Sequence, residues 1–203
     1  ALGVTGPLKH PATTEVRCWT GDGSAAHIDF GSALIPATAE FVTSLWYFHT
    51  ANNTTIRCIM AQRNASEDGL LNVFVNANGT GSPTAGMLGV RVFNRMTNVD
   101  LAGALQANTW HYITITRASG TLTVTCTPAG GSTVSGSNAI SGVVSVANTL
   151  RLGAMFSGTV TNHIDGRVSD FRITTGGVTK YFPLQEGPGT SNTNRDRYWI
   201  GSD

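Results

Sequence analysis

Hydrophobic and polar residues alternate with a period of two along much of this chain. Trp-His-Tyr-Ile-Thr-Ile-Thr over 110–116 and Thr-Leu-Thr-Val-Thr-Cys-Thr over 121–127 each put every second side chain on one face. Ala118-Ser-Gly120 between them supplies a turn, so the pair reads as a hairpin. The same pattern predicts strands at Val16–Trp19, His27–Phe30, Phe41–His49, Thr55–Gln62, Leu70–Asn76, Met87–Phe93, Thr149–Met155 and Gly166–Thr174. Asn-Gly, Asp-Gly, Gly-Gly and Ser-Gly pairs punctuate them. No long segment carries a 3.6-residue apolar period. Short strands with regular turn signals predict an all-β jelly-roll sandwich of two antiparallel sheets, with little or no helix.

The alternation also assigns faces. Leu71, Val73 and Val75 oppose Asn72, Phe74 and Asn76, while Val90 and Val92 oppose Arg91, Phe93 and Arg95. If these strands are neighbours, the second sets together form the floor of a groove carrying rings, amides and guanidinium groups. That mixture suits a sugar: rings stack on pyranose CH groups, and the polar groups reach the hydroxyls. The same face would serve equally well as a contact with another subunit. Leu122, Val124 and Cys126 oppose four threonines, an ordinary solvent-facing β surface.

At 203 residues the chain can bury one sizeable core. Its 40% hydrophobic content excludes a disordered chain. A charged fraction of only 12% fits a β protein whose exposed face uses uncharged polar groups. The net charge of +1 offers no electrostatic case for nucleic acid. No apolar run is long enough for a membrane span, so no membrane insertion is expected. Cys18, Cys58 and Cys126 are odd in number and match no zinc spacing, so they read as small hydrophobes, in keeping with a reducing compartment. Residues 1–15 read as a linker, 16–186 as the domain and 187–203 as an extension. The start at Ala1 suggests a piece cut from something longer.

Four segments, in order, resemble the laminin-G-like branch of the concanavalin A-like jelly rolls. They are Trp19-Thr-Gly-Asp-Gly-Ser-Ala-Ala-His-Ile-Asp-Phe30, Phe41-Val-Thr-Ser-Leu-Trp-Tyr-Phe48, Asn108-Thr-Trp-His-Tyr-Ile113 and Gly166-Arg-Val-Ser-Asp-Phe-Arg-Ile173. Ser169-Asp170 departs from the family's acidic pair. The segment Lys180-Tyr-Phe-Pro-Leu-Gln-Glu-Gly-Pro-Gly189 also resembles one that follows such domains in bacteriophage tail and other virion proteins.

The resemblance implies that Trp46 and Trp110 lie in the core. Trp19 and Trp199 fall outside the core strands, placed either for exposure to a ligand or to cover an end of the sandwich. Many relatives hold one structural calcium ion, for which Asp22, Asp165 and Asp170 are the positions to test. An Asp-Gly turn also closes without an ion, so both readings stand.

The superfamily's glucanases carry their carboxylates as Glu-x-Asp-x-Glu or Glu-x-Asp-x-x-Glu on one strand, and no such run occurs here. Glu15, Glu40, Glu67 and Glu186 are scattered. The five histidines are never at i,i+2 or i,i+4 and read as structural. The expected function is therefore non-catalytic recognition of a surface polysaccharide or other glycan, within a phage tail fibre or another virion or extracellular assembly. The alternative is a spacer, trimerisation or capsid-decoration module. Either role implies other subunits as partners, with a homotrimer as one form.

Overall fold

A computed structural model of the chain describes residues 18–36, 40–64, 71–92, 97–140 and 147–184. In chain order its strands are β1 (Trp19–Asp22), β2 (Ile28–Asp29), β3 (Phe41–His49), β4 (Arg57–Gln62), β5 (Leu71–Ala77), β6 (Pro83–Val92), β7 (Thr97–Leu101) and β8 (Thr109–Ala118). They continue as β9 (Thr121–Pro128), β10 (Val134–Ala139), β11 (Leu150–Leu152), β12 (Met155–Phe156), β13 (Val160–Thr161), β14 (Asp165–Thr175) and β15 (Val178–Phe182). Among the described residues there is no helix. The expected linker at 1–15 and extension at 187–203 lie outside the described residues.

Two antiparallel sheets pack face to face. The larger has seven strands in the order β1-β14-β3-β8-β9-β10, with β15 also paired to β14. The smaller has six, in the order β2-β11-β4-β5-β6-β7. The strands expected from alternation are present from His27 onward, whereas the one expected at Val16–Trp19 falls partly outside the described residues and the strand there runs Trp19–Asp22. Strands such as β10 (Val-Ser-Gly-Ser-Asn-Ala) and β15 (Val-Thr-Lys-Tyr-Phe) escape the sequence reading because they lie at sheet edges, where little of the strand is buried and the apolar period is lost.

The core fills the space between the sheets. Leu71, Val73, Val75, Leu88, Val90 and Val92 project from the small sheet, and Leu45, Tyr47, Ile113, Ile115, Val168 and Ile173 meet them from the large one. Each such side chain contributes about 1.5–3 kcal/mol on leaving water. Phe30, Phe171 and Phe182 close one region as a ring cluster with centroids 5.0–5.9 Å apart. Cys58 and Cys126 are buried. Burial pushes the Cys58 and Cys126 thiols up to about 12, so both behave as small hydrophobes.

Trp19 departs from expectation. It is fully buried, and its indole lies over Gly153, where a Cβ would come within 2.2 Å of the ring. Gly153 also has a φ of 81°, a conformation that suits glycine alone. Trp19 is therefore a core residue and not a ligand-facing ring. Replacing it by alanine should cost about 3–5 kcal/mol of unfolding free energy, read by urea denaturation. A loss below about 1 kcal/mol would contradict its placement.

Candidate functional site

The groove expected on the outer face of the small sheet is not open. Asn72, Phe74 and Arg91 share that face as the alternation required, but all three are buried. At Asn76 the ladder shifts register, so the alternation does not carry to it, and it too is buried. Gly89, opposite Phe74, has no side chain, and the backbone of 77–79 crosses in the space a Cβ would occupy. The loop that follows is clamped there: the Arg91 Nε–H donates to Gly79 O, and the Gly79 N–H donates to Asp100 Oδ1. Arg91 stacks over Phe74 at 5.4 Å. Met155 of β12 packs on Cys58 and Phe74, roofing another part of the sheet.

Asn76, at a φ of 57°, ties the loop between β3 and β4 to β6. Its Nδ2 donates to Ala51 O and Asn53 Oδ1, and its Oδ1 accepts from the Gly86 N–H. The Asn72 amide is enclosed, with neither end hydrogen-bonded. Phe93 and Arg95 lie outside the described residues, as does Trp199. Strand alternation showed which side Asn72, Phe74 and Arg91 take, but it does not show that the loop joining β5 to β6 folds back over that side.

The outer face of the large sheet is different: Trp110 is half-exposed there and not a core residue, while Trp46 is buried as expected but on the outward side of its strand. Leu45 and Tyr47 belong to the inter-sheet core, so Trp46 between them points outward, and Trp110 does likewise beside His111. Strand register stacks these rings in rows. Arg167, Phe48 and Trp110 stand opposite one another on β14, β3 and β8, and Ser169, Trp46 and Tyr112 form the next row. Phe48 meets Trp110 edge-on at 5.5 Å, Trp46 meets Tyr112 at 5.2 Å, and the Arg167 guanidinium lies 5.1 Å over Phe48. Phe48, Trp110 and Tyr112 are half-buried and Arg167 is exposed, whereas Trp46 is only 7% exposed.

Farther along the face the rows become hydroxyl-rich, with Ser44, Thr114 and Thr125 followed by Val42, Thr116 and Thr123. At that end Glu40, Val42, Thr116, Arg117 and the Gly176–Gly177 turn line a cavity of about 310 Å³. Phe-Val-Thr-Ser-Leu-Trp-Tyr-Phe is apolar on both faces, so the sequence held the outward rings but not the direction in which they point.

The proposed calcium positions divide. Asp22 and Asp165 are direct partners across β1 and β14, while Asp170 lies five residues on, accepting the Tyr181 hydroxyl at 2.5 Å. Asp22 Oδ1 takes the backbone N–H groups of Ser24, Ala25 and Ala26 at 2.8–2.9 Å, which holds this carboxyl far below the usual carboxylate range. Arg57 donates to Gly23 O and His163 O beside it, and the His27 and His163 rings stand 5.7 Å apart. Calcium needs six or more oxygen ligands. Here one oxygen of Asp22 is committed to amides and a guanidinium adjoins the corner. Among the described residues no group of three His, Cys, Asp or Glu gathers to hold a metal. The corner as folded does not fit the ion.

No protein-family model matches the chain, and no curated protein matches it. Solved structures do. Tailspike protein 2 of the Escherichia coli O157:H7 bacteriophage CAB120 superposes with a TM-score of 0.58 at 11% identity, over 77% of this chain and 22% of its own. The CBM40 module of a Ruminococcus gnavus sialidase, bound to α2,3-sialyllactose, gives 0.54 at 16% identity over 76% and 89%. Domains LG4-5 of the mouse laminin α1 chain give 0.56 at 14% identity over 86% and 47%. This chain has the concanavalin A-like jelly-roll fold. It spans about a fifth of the tailspike's length and most of the CBM40 module's.

Inside this jelly roll, β3 and β8 bury two histidines. His49 Nε2 donates to Asn52 Oδ1 at 2.8 Å, and Nδ1 accepts from the fully buried Tyr47 hydroxyl at 3.1 Å. His111 Nε2 accepts the Gln106 N–H at 2.9 Å, so the ring is neutral. Burial, with His49 nearby, holds His111 down at about 4, and burial lowers His49 as well. In the unfolded chain both take protons near 6.5, so between pH 6.5 and 4 the unfolded state binds more protons. Stability is therefore full above pH 6.5 and falls as the pH drops toward 4. Urea denaturation should show a loss of about 2 kcal/mol between pH 7 and pH 4.5. His111→Gln should remove most of that slope.

Proposed function

We propose that this jelly roll is a non-catalytic glycan-recognising module of a larger virion or extracellular assembly, of the phage-tail kind, with the sugar lying on the outer face of the large sheet. The observation that carries the proposal is the set of half-exposed rings Phe48, Trp110 and Tyr112, backed by the buried Trp46 and flanked by Arg167 and by threonine hydroxyls. Rings on a rigid sheet offer flat apolar surface to pyranose CH groups at little cost in side-chain entropy, and the hydroxyls supply both donors and acceptors. The sialidase module seen with sialyllactose and the phage tailspike lend support through their shared fold. The likeness of 180–189 to a virion segment points the same way.

The absence of hydrolysis is part of the reading. Asp22 and Asp165 are the two carboxylates that stand directly opposite on neighbouring strands. A glycosidase needs one carboxylate to act as an acid. Three amide donors hold Asp22 ionised, and its Oδ1 is already engaged. A structural role as spacer or trimerisation module draws on another corner, where Val42 and Val178 stay 37% and 49% exposed near the 310 Å³ cavity.

Binding on an array of surface polysaccharides should weaken at least tenfold in Phe48→Ala and in Tyr112→Ala, each with an unchanged melting temperature. Wild-type protein that is folded and binds no glycan would overturn the proposal. Light scattering showing a tight trimer with Val42 buried would then favour the spacer.

A further inference from the structure

Building on the glycan-recognition reading, we infer that the outer face of the large sheet takes an anionic glycan strand, held at two points along β14. Arg167 and Arg172 are five residues apart, and in an unbroken strand that spacing sends side chains to opposite faces. β14 is not unbroken. Between Ser169 and Arg172 the register on β3 shifts by one residue, and Asp170 takes a left-handed φ of 51°. The bulge returns Arg172 to the face of Arg167: Arg167 stands opposite Phe48 and Arg172 opposite Ser44. Phe171 is left pointing into the core at 0% exposure. Four residues of β3 separate the two rows, about 13 Å along the strand.

Each guanidinium is braced on a ring, Arg167 over Phe48 at 5.1 Å and Arg172 over Tyr181 at 4.6 Å. Among the described residues neither forms an ion pair, and Arg172 Nε is buried without a hydrogen-bond partner. Between the two arginines the outward ladder positions carry rings, serines and threonines but no carboxylate, and beyond Arg167 the strand ends on Asp165 with Asp22 opposite it. The nearby Asp170 sits in the bulge, engaged by the Tyr181 hydroxyl. Two fixed cations with no carboxylate in the rows between them, and with the half-exposed Tyr112 ring in that stretch, complement a linear polysaccharide bearing repeated carboxylate or sulfate groups. The planar guanidinium fork matches either anion bidentately.

The test is an array in which each acidic polysaccharide is printed beside its carboxyl-reduced or desulfated form, with phosphatidylserine vesicles as a separate arm. The expected result is signal on the acidic members alone, falling about tenfold in Arg167→Gln and in Arg172→Gln, and lost in the double variant. Added salt should weaken the wild type more than either variant. Equal signal on acidic and reduced members, or binding untouched by both substitutions, would overturn the anionic assignment and leave glycan recognition standing. No signal on any polysaccharide, with or without vesicle binding, would overturn both.

Discussion

The arrangement of this domain depends on the register in which β3 lies between β8 and β14. Burying Leu45 and Tyr47 against the small sheet fixes that register, because slipping by one residue would exchange the core for the outward set all along the strand. Once Leu45 and Tyr47 face inward, Trp46 and Phe48 must face outward. Ile113 and Ile115 on β8 impose the same choice on Trp110 and Tyr112. The ring rows are thus a consequence of core packing on the opposite face. β14 satisfies the same core with Val168 and Ile173 only by inserting an extra residue at Asp170, and that insertion places both of its arginines on one face.

The two outer faces diverge for a steric reason. On the small sheet, Gly89 leaves a gap that the backbone of 77–79 fills, and Arg91 and Asp100 hold the loop in place. Polar residues that would have lined a groove become its internal ties, and Asn76 is the clearest example. On the large sheet the strands carry bulky rings at one end and threonines at the other. The charged residues there are few: Arg167 and Arg172 stand along β14, and the Asp22–Asp165 pair lies beyond Arg167 at the strand end. The guanidinium groups therefore set the character of the stretch between the two arginines.

Much of the architecture was legible beforehand. Period-two alternation located the core strands and sorted Leu122, Val124 and Cys126 from the threonines beside them. The site was less so. Arg91, Asn72 and Phe74 form a mixed polar and aromatic set, and only the roofing loop shows them to be buried. Trp46 and Trp110 were assigned to the core by the family resemblance. The strand of Trp46 is apolar on both sides and gives alternation no power to discriminate, whereas Trp110 falls in phase with Thr114 and Thr116 and out of phase with the core residues Ile113 and Ile115. Trp19 looked peripheral in the chain but is packed over Gly153, more than a hundred residues away.

The sequence by itself determined the all-β class, the position of most strands and the two faces of each regular one. Those properties follow from local backbone geometry, in which neighbouring side chains point to opposite sides. The tertiary structure alone decided which face is covered, which rings line up across strands, and that Arg167 and Arg172 share a surface. These depend on loops closing over distant strands and on a single-residue shift in register, and neither leaves a periodic trace in the chain.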